Sequence, residues 1–337
     1  MLNERRRLVL KALIEEYIDS GEPVGSRHLV EHRGISCSSA TVRNELAALE
    51  ESGHVYQPHV SSGRIPTDAG YREFVDGLLQ DGPSGPDVNA EQVRLRYREL
   101  SSEVDDLMKQ TSFVLSHLTH YVAVVLAPTI SLARIRRIDL VSLAPRHALV
   151  VLITATGQVV NRHVDLAEET QPEQLAEVER ALNASLDGRR AAEVRSVRQA
   201  LDPVTHADGA LAVALEEIAE CLEEADRDRL YHVGVPELLA LPEFADSSRL
   251  RPLLGLLEDG LAMLDTLSDV MSSGGMTVRI GSENTRSELG EMSLVVSNYA
   301  TAEADGLVGV IGPTRMDYPR TISTVRGVAD GLSDTLG

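Results

Sequence analysis

Tryptophan is absent from the 337-residue chain, aromatic residues make up only 3% of it, and cysteine occurs twice. Cys37 and Cys221 are too few for a disulfide framework and too far apart for a paired metal-ligand spacing, which fits a reducing compartment. No window holds the ~18 uncharged apolar residues of a membrane span. The opening MLNERRRLVLKALIEEY has charges at helical intervals and no small-residue cleavage site, so no export signal is expected and a cytoplasmic location is. Also missing are a P-loop, a G-x-S-x-G and a G-x-G-x-x-G that follows a strand. No constellation supports an enzyme, and no cofactor is expected.

Net positive charge is lacking too. The formal charge is −20, whereas a protein that neutralises phosphates needs Lys and Arg. The acidity is uneven: residues 1–80 hold 9 Lys and Arg against 12 Asp and Glu, a net of −3, and the rest of the chain carries the remainder. A nucleic-acid reading of the first 80 residues therefore has to rest on where the arginines lie.

What is present at the N-terminus is a regular succession of short elements. Asn3 is placed to cap a helix in which Leu8, Leu10, Leu13, Ile14, Tyr17 and Ile18 recur at three- and four-residue spacing until Gly21. GEPVGS breaks it; Ser26 is expected to cap a short helix, Arg27 to Arg33, that ends at Gly34. Ser38 or Ser39 caps a third helix that Gly53 ends. Val55 to His59 and Arg64 to Pro66 then read as a β-hairpin around Val60 to Gly63, and Thr67 caps a helix through Leu79. Three helices followed by a hairpin within about 65 residues is the order of a winged helix-turn-helix.

On the third helix, Val42, Leu46 and Leu49 fall on one face, while Ala40, Arg43, Asn44, Ala47 and Glu51 fall on the other. The outward N-terminal end offers Ser38, Ser39, Thr41, Arg43 and Asn44. Arg pairs with guanine O6 and N7, Asn with adenine N6 and N7, and Ser and Thr with phosphates. In the hairpin, Arg64 is placed for a minor groove or a phosphate, and His59, Ser61 and Ser62 for backbone contacts, although Ser and Gly also serve any tight turn. The expected partner is double-stranded DNA.

Proline, glycine and aspartate at 81–90 mark a linker. Val93, Tyr97, Leu100, Val104, Leu107, Thr111, Val114 and Leu118 then alternate spacings of four and three, either a helix lying on its own domain or a seam between two chains. YVAVVLAP, ARIRRIDLVSL, HALVVLITA and QVVNRHVDL read as strands, with a turn at Thr156-Gly157. Helical periodicity occupies 172–226 and 249–272, and MTVRIGS, MSLVVSNYA and GLVGVIG are strands again before a closing helix with Ile322, Val325, Val328 and Leu332 on one face. The simplest account is an α+β multidomain chain whose sheet is interrupted by a mainly helical insertion and then resumed.

Two signals are set aside. His28, Glu31 and His32 spell the inverted zinc-protease pattern, but on a seven-residue helix with no third ligand marked. Cys37 precedes a helix, where a thiol is acidified, yet it also suits a small packed turn position. No metal is expected.

The strings SGEPVGS and SSATVRNELAALEESGHVYQPHVSSGRIPTDAGYREFVD, with the later VRIGSEN (Val278 to Asn284) and GVIGPTRMDY (Gly309 to Tyr318), resemble the heat-inducible transcription repressor HrcA family. The resemblance spans essentially the whole chain, densely at both ends and loosely from about 165 to 275. It implies a homodimeric repressor that binds the CIRCE inverted repeat ahead of chaperonin operons, with activity supported by the GroEL chaperonin. The implied layout is a winged-helix domain at 1–80, a GAF-like domain at 91–165 and 276–337, and an inserted dimerising domain at 166–275. A regulator controlled by a small ligand in the GAF-like domain is the alternative.

Overall fold

The computed structural model describes residues 2–59, 62–81, 104–128, 134–155, 159–166, 169–194, 213–220, 222, 229–271, 274–300 and 305–336. The linker, the first half of the long helical stretch, the Thr156-Gly157 turn and Cys221 lie outside the described residues.

Capping residues set the N-terminal elements. The Asn3 side chain accepts the Arg6 amide at 2.8 Å and opens α1 (Glu4–Ser20), which Gly21 closes at φ +72°. α2 (Ser26–Arg33) begins one residue earlier than expected: Gly25 is its cap, and the Ser26 hydroxyl instead faces that of Ser39 at 3.1 Å. Ser38 caps α3 (Ser39–Glu51) by accepting the Thr41 amide at 3.1 Å. Val9, Leu10, Leu13 and Ile14 of α1 pack with Leu29, Val42, Leu46 and Leu49, so each helix buries the stripe its spacing marks.

β1 (Val55–Tyr56) and β2 (Ile65–Pro66) form an antiparallel pair of two residues a side, and Arg64 bridges back to Val24 between α1 and α2. Gly63 permits that approach, because a Cβ there would sit 2.4 Å from the Pro23 carbonyl oxygen. Thr67 accepts the Gly70 amide at 3.2 Å and starts α4 (Asp68–Asp81).

The C-terminal part centres on an antiparallel five-stranded sheet in the order β7-β3-β10-β9-β8. Its strands are β3 (Val122–Leu126), β7 (Leu230–Val233), β8 (Met276–Ile280), β9 (Met292–Ala300) and β10 (Asp305–Pro313). β3 pairs with β10, with Gly309 opposite Val124, so the sheet is indeed resumed after an insertion. α5 (Val104–Thr119) and α10 (Tyr318–Leu336) lie against the sheet and against each other. The buried stripe of α5 runs through Met108, Thr111, Ser112, Leu115 and Thr119, shifted toward the sheet from the expected seam. Its buried hydroxyls are satisfied locally: Thr111 donates to the Leu107 carbonyl at 2.7 Å and Ser116 to that of Tyr121 at 2.9 Å. Within the described half, this helix serves its own sheet.

The insertion differs from the expected one. β4 (Ile135–Ala144), β5 (His147–Thr154) and β6 (Val159–Asp165) do not join the main sheet; they form a three-stranded meander of their own. One face of it buries Ile138, Val150, Leu152 and Val164 against α6 (Pro172–Leu186) and helical residues 213–220, a second core separate from the first. The edge strand β4 is protected by α6: Asn183 accepts the Ile138 amide at 2.9 Å and donates to its carbonyl at 2.6 Å, and Glu179 accepts the Leu140 amide at 2.9 Å. The boundaries expected at 166 and 275 shift accordingly. The second core takes in strands from 135 onward, whereas α7 (Val235–Leu239), α8 (Arg251–Glu258) and α9 (Gly260–Met271) pack on the main core.

The N-terminal unit is docked on the main sheet through polar contacts. Arg72 of α4 pairs with Glu283 and donates to the Val278 carbonyl at 2.6 Å, while Asp68 accepts the Ser282 amide and hydroxyl at 2.9 and 2.8 Å. A Cβ on Gly281, at φ +50°, would meet the Asp68 carboxylate at 2.4 Å. Arg315 donates to the Ile18 carbonyl at 2.8 Å and pairs with Glu243. VRIGSEN and the Arg315 segment are thus the receiving surface for the first 80 residues.

Candidate nucleic-acid interface

Ion pairs inside the N-terminal unit decide which of its cations are free. Arg6 pairs with Glu45, Arg7 with Glu73, Lys11 with Glu15, Arg33 with Glu16 and Asp19, Arg64 with Glu50, and Arg72 with Asp76 and Glu283. Among the described residues, Arg5, Arg27 and Arg43 are left exposed and without an acidic partner. Seven acidic residues of this unit are thus engaged by its own cations, its net charge of −3 is unchanged by that pairing, and two of its three unpaired guanidiniums stand on α2 and α3.

Those helices meet at their N-termini, where Ser26 touches Ser39. Ala40, Arg43, Asn44 and Ala47 are exposed along α3, opposite the buried Val42, Leu46 and Leu49, as the helical wheel requires. Ser38 and Thr41 are hydroxyl partners at 2.9 Å, so both are occupied by the cap. Ser39 is likewise turned to Ser26. The chemistry facing outward is one guanidinium, one carboxamide and the backbone amides of two helix starts.

Arg27 was not singled out from the sequence, although a signal was present. A cation in the first turn of a helix opposes the macrodipole, and α2 has no side chain bonded to its first amides. An arginine kept there is well placed for an external anion.

The hairpin departs from expectation. Arg64 does not reach outward: its Nε donates to Glu50 at 3.0 Å, its Nη2 lies 2.9 Å from the same carboxylate, and its backbone is bonded both ways to Val24 at 2.9 Å. The bridge to Val24 turns the side chain in toward α3, so its role is to fix the hairpin base. Ser62 closes the turn, its hydroxyl accepting the His59 amide at 3.0 Å and donating to the His59 carbonyl at 2.7 Å. The His59 ring is exposed, and Ser61 lies outside the described residues.

His28 and His32 stack with ring centroids 4.1 Å apart, and His28 bonds Glu16 at 2.6 Å. Among the described residues no group of three His, Cys, Asp or Glu is placed to hold a metal ion. Cys37 is half-buried against the core.

A family model described as the HrcA protein C terminal domain matches residues 105–322, which contain both docking motifs. The heat-inducible transcription repressor HrcA of Nocardioides sp. is 40% identical over 339 residues, covering 100% of this chain and 99% of that protein. Its counterpart in Streptomyces avermitilis is 40% identical over 335 residues, 98% of this chain and 97% of that one. The chain belongs to the HrcA family. HrcA proteins are transcription repressors and not enzymes, and the sequence resemblance is correct on both points. A crystal structure described as that of a hypothetical protein at 2.2 Å resolution has the same mixed fold, with a TM-score of 0.62 and 26% identity over 100% of this chain and 99% of that one. No helix among the described residues is long and apolar enough to cross a membrane.

Proposed function

We propose that residues 1–80 are a winged helix-turn-helix that places α3 in the major groove of an inverted-repeat operator of the CIRCE type. Arg43 and Asn44 read base edges, and Arg27 with the two helix N-termini holds the phosphates beside them. Ser38, Ser39 and Thr41 set the α3 entry, Ser62 and Arg64 hold the wing, and His59 and Ser61 meet the backbone from its tip. The observation that carries this reading is the exposed Arg43, without an acidic partner among the described residues, in a member of a repressor family.

An inverted repeat has two half-sites, and a two-fold homodimer presents one α3 to each. The five-stranded unit is the GAF-like frame, and the separately cored insertion around β4–β6 supplies the dimer contact. The protein acts in the cytoplasm, the GroEL chaperonin returns heat-released chains to the operator, and the repressed genes are chaperonin operons. DNA footprinting of the purified protein upstream of its host's chaperonin operon tests this. Protection of an inverted repeat is expected; protection spread evenly along the fragment would overturn it.

A further inference from the structure

A cleft of about 630 Å³ lies where the hairpin and the start of α4 face the 242–250, 290–291 and 313–315 segments of the main sheet unit. That is the size of a small-molecule site, and its walls come from both units. Tyr17, Tyr56, Tyr71 and Phe244 give it aromatic faces. The carboxylates Asp68, Glu243 and Glu291 outnumber the cations Arg249 and Arg315, and Arg315 is already committed to Glu243 and the end of α1.

Two oxygens of this wall have no partner. Tyr71 is 3% exposed, and its hydroxyl makes no hydrogen bond; Glu243 gives one carboxylate oxygen to Arg315, and the other, Oε2, is buried and unbonded. Buried polar atoms are nearly always satisfied, and two orphans in the wall of one cleft point to a polar group that would meet them. Glu243 Oε2 can only accept, so the missing group is a hydrogen-bond donor, and the surplus of carboxylates in the wall favours one that carries positive charge. Burial raises the Tyr71 hydroxyl well above its ordinary range, which keeps it protonated and neutral.

We infer that this cleft binds a compact planar organic cation of the amidinium or guanidinium class. One N–H is donated to Glu243 Oε2 and another to the Tyr71 oxygen, with the exposed ring of Tyr56 facing the positive charge, since Arg315 already lies over Tyr17. Neither oxygen is exposed to solvent, so binding includes a side-chain rotation of the kind common at binding sites. Because the walls belong to two units, an occupied cleft clamps the N-terminal unit in its docked position.

The test uses the full-length protein and no DNA, so its outcome is independent of the operator reading. Benzamidine and its neutral near-isostere benzamide are titrated calorimetrically and by thermal shift. Saturable binding of benzamidine with a raised melting temperature is expected, with benzamide at least about tenfold weaker. Tyr71→Phe removes only an unpaired hydroxyl, so the variant stays folded and binds benzamidine about tenfold less tightly. Glu243→Gln abolishes the preference for the cation; if that variant fails to fold without its Arg315 pair, Tyr71→Phe alone decides. Absence of saturable binding, equal affinity for benzamide, or an unchanged affinity in Tyr71→Phe would overturn the inference.

Discussion

Arg315 donates to the Ile18 carbonyl at 2.8 Å, across 297 residues of sequence, and so closes the C-terminal end of α1 with a positive charge from the main sheet unit. The carbonyl end of a helix is the end that attracts a cation, and the Glu243 carboxylate holds the guanidinium in place. This contact joins the two units. Arg315→Ala leaves Glu243 half-buried without its partner and the α1 carbonyls uncapped. A loss of about 2–3 kcal/mol is expected in urea unfolding. A loss below about 0.5 kcal/mol would show that the contact is incidental.

Gly63 is required by a close approach and not by its own backbone angles. In Gly63→Ala the added Cβ meets the Pro23 carbonyl at 2.4 Å, so the hairpin base must move from the α1–α2 connection. Destabilisation of about 1–3 kcal/mol is expected by thermal unfolding, with the Arg64 to Val24 bridge broken. Wild-type stability in this variant would show that the hairpin is not seated there.

Glu16 gives a pH dependence of known sign. The hydrogen bond from His28, opposed by partial desolvation and reinforced by Arg33, holds its carboxyl below the ordinary glutamate value. A group lowered on folding stabilises above its unfolded pKa and loses that effect as the pH falls through its folded pKa. Glu16→Gln is therefore expected to cost about 1 kcal/mol at neutral pH, and the gap from wild type to close below about pH 4. Urea midpoints compared at the two pH values check it; a gap that widened in acid would contradict the assignment.

Arg27 is expected to act on DNA backbone alone. Arg27→Ala should weaken operator and scrambled duplexes by the same factor and reduce the salt slope by about 1, with folding unchanged. Anisotropy titrations over a range of salt measure this. A loss confined to the operator would move Arg27 among the base-reading residues.

The parts of the fold legible in the sequence were those set by local chemistry. Asn3, Gly21, Ser38 and Thr67 mark helix ends because caps are local, and Val42, Leu46 and Leu49 mark the inner face of α3 because burial follows the helical period. The split into two sheets was also written, less visibly. VAVVL in β3 is apolar throughout and buried throughout, whereas β5 alternates buried and half-buried residues, the pattern of a sheet with one face covered.

What stayed hidden was long-range pairing. Nothing local to Arg64 shows that Glu50 will take its side chain, and nothing local to Asp68 announces Ser282. Hence the Arg64–Glu50 pair and the docking role of VRIGSEN are not legible in the sequence, whereas the exposure of Arg43 and Asn44 needs only a correct helical phase. Ser62 shows the same limit: the hydroxyl suited to a phosphate is also the one that closes its own turn.

The exposed face of α3 as an operator reader is the central claim, and the direct measurement is an anisotropy titration of wild type and Arg43→Ala with an inverted-repeat duplex and a scrambled one. Arg43 is exposed and has no acidic partner among the described residues, so its removal is expected to leave stability unchanged. The account predicts tight, salt-sensitive binding to the inverted repeat, weakened by about 1–3 kcal/mol in Arg43→Ala, and much weaker binding to the scrambled duplex. Equal affinity of the wild-type protein for both duplexes, or no effect of Arg43→Ala on the operator, would contradict it.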